Sequence, residues 1–182
     1  MATNPRVRDE LGTIHLVSPE DRRVGPGWSP IMAAFCHINP NGSRFTDGSF
    51  GVYYCALVEA TAIAETRHHT ERFLRDASQP PTRVQKRVYL SNLAAEMVDL
   101  RAEPPTSPLL DPDDWSAGQA LGGKLREGHR YGVVYPSVRH PGGECAAVFR
   151  PPALSPAWQG RHLEYVWNGT SISHVYESTL VS

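Results

Sequence analysis

The chain has 182 residues, of which 40% are hydrophobic and 20% charged, enough for one substantial core and short for two. The formal net charge of -1 excludes a bulk basic surface, so direct binding to nucleic acid is not expected. The N-terminus is polar and no run of about 18 apolar residues occurs, so we expect a cytoplasmic protein without a membrane span.

Three cysteines, Cys36, Cys55 and Cys145, are widely spaced and form no Cys-x-x-Cys pair. This pattern argues against a disulfide framework and a thiolate zinc site, so reduced core cysteines are expected. The adjacent His68 and His69 face different sides of a helix and do not form the usual i, i+4 metal pair, so no metal site is predicted. The dinucleotide fingerprint, the Walker loop and the Gly-x-Ser-x-Gly elbow are also missing from the sequence.

The first half of the chain predicts two strands and one long helix. In order, the pattern indicates a strand over 13–17, an apolar segment over 31–35, a tight turn over 39–42, a strand over 51–56 and a helix over about 58–76. The turn presents Arg44 shortly after its glycine, and the second strand carries Tyr54.

The second half predicts mostly strands. These are strands over 84–90 and 97–100, a capped helix over about 115–127, strands over 131–135 and 145–149, and a hairpin with arms over 162–167 and 170–176 around Asn168-Gly169. The order indicates an α+β fold with predominantly antiparallel strands. We interpret residues 1–182 as one domain, with a core over about 13–155 and a C-terminal β-hairpin over 161–177.

Glu65 is the most informative single residue. On the predicted helix, Val58, Ala62, Glu65, His69 and Phe73 fall in one stripe, which we expect to be the buried face. A buried, unpaired carboxylate is costly, so Glu65 indicates either a functional role or a simple pairing with His69 one turn later. The residues alone do not decide between the two readings.

Three further residues each have an ordinary reading and a functional one. Arg44 is either a surface arginine or a phosphate ligand delivered by a tight turn. Tyr54 is either a core aromatic or a ligand platform. Ser137 lies in a Pro/Gly-rich loop, where small polar residues are common, and its alternative role is to hydrogen-bond a ligand.

The order of these residues resembles the RES-domain family, which takes its name from an Arg, a Glu and a Ser. The stretches that carry the resemblance are Gly42-Ser43-Arg44-Phe45-Thr46-Asp47-Gly48, Gly51-Val52-Tyr53-Tyr54 running into Thr61-Ala62-Ile63-Ala64-Glu65, and Tyr135-Pro136-Ser137-Val138-Arg139 with Gly142-Gly143. The similarity covers roughly residues 30–155, and the set is far more specific than any one piece.

The resemblance implies a toxin that degrades NAD by cleaving the bond between nicotinamide and ribose. It implies an ADP-ribosyltransferase-like fold of split antiparallel sheets with flanking helices. NAD would be the substrate, with no separate cofactor and with water or inorganic phosphate as acceptor. The implied partners are an Xre/MbcA-like antitoxin that covers the active site and a second copy in a homodimer. Protein ADP-ribosylation and NAD binding without catalysis are the alternatives.

Residue by residue, the resemblance assigns Arg44, Glu65 and Ser137 to catalysis and Arg44, Tyr54 and Ser137 to NAD binding. His69 and His37 are expected to lie behind the catalytic side chains and to support them, His69 through Glu65 one turn earlier on the helix. The carboxylate would stabilise oxocarbenium character on the ribose, and Arg44 would neutralise the pyrophosphate.

One position departs from the family pattern. Many members carry a further arginine on the first strand, where this sequence has Leu16. We expect either another cation, Arg22, Arg23 or His37, to fill that role or the handling of phosphate to differ.

Overall fold

The computed structural model describes residues 12–179, which form two β-sheets and three α-helices. The helices are α1 (Ser29–Cys36), α2 (Glu59–Asp76) and α3 (Ser116–Glu127). The strands are β1 (Tyr53–Ala56), β2 (Thr82–Leu90), β3 (Val98–Asp99), β4 (Gly132–Pro136), β5 (Glu144–Val148), β6 (Trp158–Trp167) and β7 (Ile172–Ser178). The predicted α+β class is confirmed.

The larger sheet has the strand order β1-β5-β4-β3. Its β1–β5 and β4–β5 pairs are antiparallel and its β3–β4 pair is parallel. One face packs against α1 through Ile31 and Phe35, which are fully or almost fully buried next to Val148. The other face buries Phe45 and Val133 and contacts α3. Helices therefore cover both faces of this sheet.

The smaller sheet has the order β2-β6-β7 and is entirely antiparallel. The predicted C-terminal hairpin is its β6–β7 pair, but the connection is longer than the predicted two-residue turn. Residues 168–171 form it, and Asn168 Oδ1 accepts hydrogen bonds from the N–H groups of Thr170 and Ser171. Tyr165 and Trp167 of β6 are buried beside Leu74 of α2. The hairpin thus supplies the surface on which α2 rests.

The predicted first strand over 13–17 is wrong, because Ile14–Leu16 form a 3-10 helix. The N–H and the Oγ1 of Thr13 both donate to the carbonyl oxygen of Cys36, at 2.7 and 2.6 Å. The N–H groups of Leu16 and Val17 donate to carbonyl oxygens three residues earlier. Since these groups find partners within the segment and at the end of α1, the segment has no need of a neighbouring strand.

The predicted buried face of α2 is also wrong. Val58 and Phe73, at the ends of the stripe, are 51% and 68% exposed, whereas Thr61, Thr70 and Leu74 are buried. The helix meets the smaller sheet through the side that carries Leu74. The stripe with Glu65 therefore opens onto a cavity instead of the core.

Candidate active site

A cavity of about 320 Å³ lies beside α2, in the range of small-molecule sites. Its walls come from the turn before β1, from β1, β4 and β5, from α2, from Trp115 just before α3 and from the loop after β4. The charged and aromatic side chains among its lining residues are Arg44, Tyr54, Glu65, Trp115, Tyr135 and Arg139, together with His69. The structure thus brings Arg44, Tyr54 and Glu65 together in one cavity.

Ser137 joins this group through Glu65. Its Oγ donates a hydrogen bond to Glu65 Oε1 at 2.6 Å. The same Oγ accepts hydrogen bonds from the N–H groups of Arg139 at 3.2 Å and His140 at 3.0 Å. With two donors fixing its lone pairs, the hydroxyl has its own proton directed at the carboxylate. Glu65 and Ser137 are therefore held together by a charge-assisted hydrogen bond.

Cys145 is a second donor to the same carboxylate oxygen. Its Sγ lies 3.8 Å from Glu65 Oε1. Burial and the negative charge of Glu65 raise the pKa of the Cys145 thiol to about 12. The sulfur therefore stays protonated at neutral pH and acts as a hydrogen-bond donor. Among residues 12–179, Glu65 Oε2 receives no hydrogen bond, so that oxygen is available to a ligand.

The turn that carries Arg44 has a well-defined backbone. Gly42 has φ +72°. Ser43 and Thr46, which flank Arg44 and Phe45, exchange two backbone hydrogen bonds of 2.7 and 3.3 Å. Thr46 Oγ1 also donates to the carbonyl oxygen of Phe50 at 2.8 Å. Such a turn presents a side chain from a fixed backbone position.

Helix α3 packs directly on that turn. A Cβ at Gly118 would collide with the carbonyl oxygen of Arg44, and one at Gly122 with the carbonyl oxygen of Phe45. Both glycines are buried in the contact. The two missing side chains therefore permit the approach of the helix that fixes the Arg44 backbone.

Arg44 is buried, with 9% of the residue exposed, and one guanidinium nitrogen is hydrogen-bonded to the protein. Its Nη1 donates to the carbonyl oxygens of Leu109 at 3.2 Å and Asp111 at 2.8 Å. Within residues 12–179, Nε and Nη2 have no protein partner. A guanidinium held in this way offers its remaining N–H groups to an anion in the cavity.

Tyr54 supports the Arg44 turn as well as lining the cavity. Its hydroxyl shares a hydrogen bond of 2.8 Å with Ser43 Oγ and accepts one of 3.0 Å from the N–H of Phe45. Although 38% of the residue is accessible, its hydroxyl is enclosed, and burial raises the pKa of Tyr54. The phenol is therefore neutral. Its hydroxyl is hydrogen-bonded to the residues on both sides of Arg44, Ser43 and Phe45, and its ring lines the cavity.

The predicted supporting histidines lie in different places. His69 lines the cavity on the Glu65 face of α2, where loss of water and the charge of His68 lower its pKa. It is not hydrogen-bonded to Glu65, whose donors are Ser137 and Cys145. His37 lies outside this cavity, in a separate open groove that also contains Leu16.

Arg139 and Trp115 also line the cavity, although the sequence predicts no role for either residue. Trp115 Nε1 and Arg139 Nη2 donate to the same acceptor, the carbonyl oxygen of Pro112, at 3.3 and 3.1 Å. Arg139 stands two residues after Ser137, so its place in the same short stretch was the available signal. The sequence does not point to Trp115 in this way, because Trp115 and its acceptor Pro112 lie outside the stretches that contain Arg44, Glu65 and Ser137.

Across residues 12–179, no three His, Cys, Asp or Glu side chains are grouped as a metal site requires. No helix there is both long and apolar enough to cross a membrane. The three cysteines are free, with Cys36 and Cys145 buried and Cys55 half-buried.

Comparison with known proteins agrees with the resemblance seen in the sequence. The RES domain matches residues 20–168, a longer stretch than the expected 30–155 that includes β6. A protein of Sinorhizobium fredii (strain NBRC 101917 / NGR234), "Uncharacterized protein y4oC", is 33% identical over 176 residues, covering 96% of this chain and 72% of that protein. The chain therefore belongs to the RES domain family.

Proposed function

We propose that the protein binds NAD in the cavity and cleaves the bond between nicotinamide and ribose. The observation that carries this proposal is the 2.6 Å hydrogen bond between Ser137 Oγ and Glu65 Oε1, beside an anchored arginine and an aromatic ring. The RES family to which the chain belongs supports an NAD-related, toxin-like role. NAD is the substrate in this proposal, and no separate cofactor is assigned.

Cleavage breaks the bond from ribose C1′ to the nicotinamide nitrogen, and the electron pair leaves with nicotinamide, which becomes neutral. The ribose carbon acquires positive charge, which the Glu65 carboxylate would stabilise. Ser137 and Cys145 both donate to Oε1 and would hold the group in orientation, while Oε2 would accept a ribose hydroxyl. Water as acceptor yields ADP-ribose and a released proton, and phosphate yields ADP-ribose 1″-phosphate.

Binding would rest on Arg44 and Tyr54. The free N–H groups of Arg44 suit a pyrophosphate oxygen, since charge-assisted hydrogen bonds are about twice as strong as neutral ones. The Tyr54 ring, with its hydroxyl already bonded to the Arg44 turn, would stack against nicotinamide. In this proposal, the turn that carries Arg44 positions both the guanidinium group and, through the Tyr54 hydroxyl, the aromatic ring.

We propose in addition an ADP-ribosyltransferase-like fold and an antitoxin partner. Two sheets with α2 between the cavity and the smaller sheet are consistent with an ADP-ribosyltransferase-like fold. An Xre/MbcA-like antitoxin would dock over the cavity, where Val58 and Phe73 extend the stripe of Glu65 as exposed apolar residues, 51% and 68% accessible. The homodimer remains a prediction.

The test is to incubate the purified protein with NAD, with and without inorganic phosphate, and to resolve nicotinamide and the ribose product by chromatography. Release that requires phosphate identifies a phosphorylase, and release without phosphate a glycohydrolase. Glu65→Gln keeps the shape of the side chain and is expected to reduce the rate at least about 100-fold. The matched control is Glu96→Gln, whose carboxylate is exposed and pairs with Arg130.

Three results would contradict the proposal in different ways. Wild-type rates in a folded Glu65→Gln protein would remove the carboxylate from the mechanism. Labelled ADP-ribose found on a protein would indicate a transferase. Thermal stabilisation by NAD without nicotinamide release would indicate a binding domain.

A further inference from the structure

Arg139 shares the cavity and the anchoring mode of Arg44. Arg139 Nη2 donates to the carbonyl oxygen of Pro112 at 3.1 Å, next to the carbonyl oxygen of Asp111 that accepts from Arg44. Two arginines from separate parts of the chain therefore converge on one short segment, 109–112. That segment is itself braced, because Asp111 Oδ1 accepts the N–H groups of Asp113 and Asp114 at 2.8 Å.

The two guanidinium groups have no carboxylate counter-ion. Among the ion pairs of residues 12–179, none includes Arg44 or Arg139. The acidic side chain among the lining residues is Glu65, whose Oε1 already accepts from Ser137 and Cys145. Arg139 uses Nη2 alone for its protein contact, which leaves Nε and Nη1 without a partner in the described part of the chain.

The net charge of the cavity lining identifies the class of ligand. Two arginines and one glutamate give an excess of one positive charge. His69 adds none, because burial first, and then the neighbouring positive charges that include Arg139, lower its pKa. Leaving two arginine charges in a partly desolvated cavity is unfavourable without an anion. A pyrophosphate diester carries two negative charges and would pair with both arginines, leaving Glu65 for the ribose.

We propose that Arg139 is the second phosphate-binding cation of the cavity, and that Arg44 and Arg139 bind one phosphate-bearing ligand between them. The inference rests on the proposed function and extends it to a residue outside the Arg44, Tyr54, Glu65 and Ser137 set. The backbone N–H of Arg139 donates to Ser137 Oγ at 3.2 Å. The residue that orients the carboxylate therefore also fixes the position of the second cation. Leu16, Arg22 and Arg23 do not line this cavity.

The phosphate oxygens have two sources, the pyrophosphate of the dinucleotide or inorganic phosphate as co-substrate. Calorimetric titration with ADP-ribose measures the first, and the phosphate concentration for half-maximal nicotinamide release measures the second. Arg139→Gln is compared with the wild type and with Arg130→Gln, whose arginine is exposed and pairs with Glu96. Arg139→Lys keeps the charge and removes the planar fork.

We expect Arg139→Gln to weaken ADP-ribose binding about 10- to 100-fold, the loss typical of a charge-assisted hydrogen bond. The KM for NAD should rise by a similar factor, with kcat changed less than about threefold, since the contact is made in the ground state and the transition state alike. Arg139→Lys should recover part of the affinity, and Arg130→Gln should match the wild type. A change confined to the phosphate requirement would assign Arg139 to the co-substrate.

Unchanged values for both ADP-ribose and phosphate in Arg139→Gln would overturn the inference. So would a fall in kcat with KM unchanged, because that pattern indicates a displaced Ser137 loop and not a lost ligand contact. A wild-type protein that binds neither ADP-ribose nor NAD would instead contradict the proposed function itself. The two failures are therefore distinguished by the wild-type titration.

Discussion

Ser137 Oγ donates to Glu65 Oε1 at 2.6 Å across a sequence separation of 72 residues. Glu65 lies on the second turn of α2, and Ser137 follows β4 directly. The contact therefore depends on how α2 packs beside the larger sheet, and any shift between the two would break it.

Replacing Ser137 by alanine should lower kcat for nicotinamide release about 10- to 100-fold, the range expected for one hydrogen bond to a charged group. The variant removes the donor to Glu65 and the acceptor for two backbone N–H groups. Ser173→Ala, on the exposed side of β7, is the matched control and should leave the rate unchanged. A fully active Ser137→Ala protein would show that Glu65 needs no orienting hydroxyl.

Gly122 and Gly123 provide a matched pair on α3. A Cβ at Gly122 would collide with the Phe45 carbonyl oxygen, whereas a Cβ at Gly123 meets nothing within 4 Å. Gly122→Ala should lower the free energy of unfolding by about 1–3 kcal/mol and weaken NAD binding, because α3 must move off the Arg44 turn. Gly123→Ala should stabilise the protein by up to about 1 kcal/mol through helix propensity. Denaturant unfolding checks both, and equal effects at the two positions would disprove the close contact.

The sequence was sufficient to predict the α+β class and the length of α2, because hydrophobic periodicity and turn residues are local signals. It did not predict which face of α2 is buried. The helix buries the polar residues Thr61 and Thr70 and exposes the apolar Phe73, so the polarity of its residues does not indicate which of them are buried. The smaller sheet decides the buried side, and that partner is not visible in the spacing of residues on one helix.

In the candidate site, too, the sequence predicts features that depend on neighbouring residues and not those that depend on contacts between distant segments. Arg44 and Glu65 were recognised from short stretches whose residue types and order are unusual. The convergence of Arg44 and Arg139 on segment 109–112 was not predictable, because backbone carbonyl acceptors leave no mark in a sequence. The sequence predicts a strand where Ile14–Leu16 form a 3-10 helix, because a short run of apolar residues suits either structure.

The buried thiol of Cys145 predicts a loss of stability in alkali. Its pKa is raised from 9.0 to about 12, so the unfolded chain releases this proton at a lower pH than the folded protein. The associated stability is present below pH 9.0 and is lost as the pH rises toward about 12. Cys145→Ala should therefore reduce the slope of unfolding free energy against pH above 9.0. Cys55, with a pKa raised to about 11, keeps part of that slope in the variant.

Chemical denaturation at several pH values between about 8 and about 11 would measure this slope, because the range begins below the ordinary thiol pKa of 9.0 and extends toward the raised value of about 12. Cys145→Ala also removes a donor to Glu65, so its stability below that range should fall slightly. An identical slope in wild type and variant would mean that the thiol ionises equally in both states, and the hydrogen bond to Glu65 would then be in doubt.

Thr61 connects the first turn of α2 to the loop that holds Ser137. Its Oγ1 is 2.8 Å from His140 Nδ1, and the residue is fully buried. Thr61→Val keeps the shape but removes the hydrogen bond, so unfolding free energy should fall by about 1–3 kcal/mol. Since Ser137 Oγ still accepts the N–H groups of Arg139 and His140, nicotinamide release should fall less than in Ser137→Ala.

Amide hydrogen exchange separates a local effect of Thr61→Val from a global one. Protection of Gly143, whose N–H donates to the His140 carbonyl oxygen at 2.9 Å, should drop more than protection in β6, because the lost contact lies in the loop. Thr82→Val, at the exposed start of β2, is the control and should change stability by no more than about 0.5 kcal/mol. A uniform drop across the protein would mean that Thr61 contributes to the core as a whole, and the position of the Ser137 loop would then depend on its other contacts, such as Ser137 Oγ with Glu65 and Arg139 Nη2 with the Pro112 carbonyl oxygen.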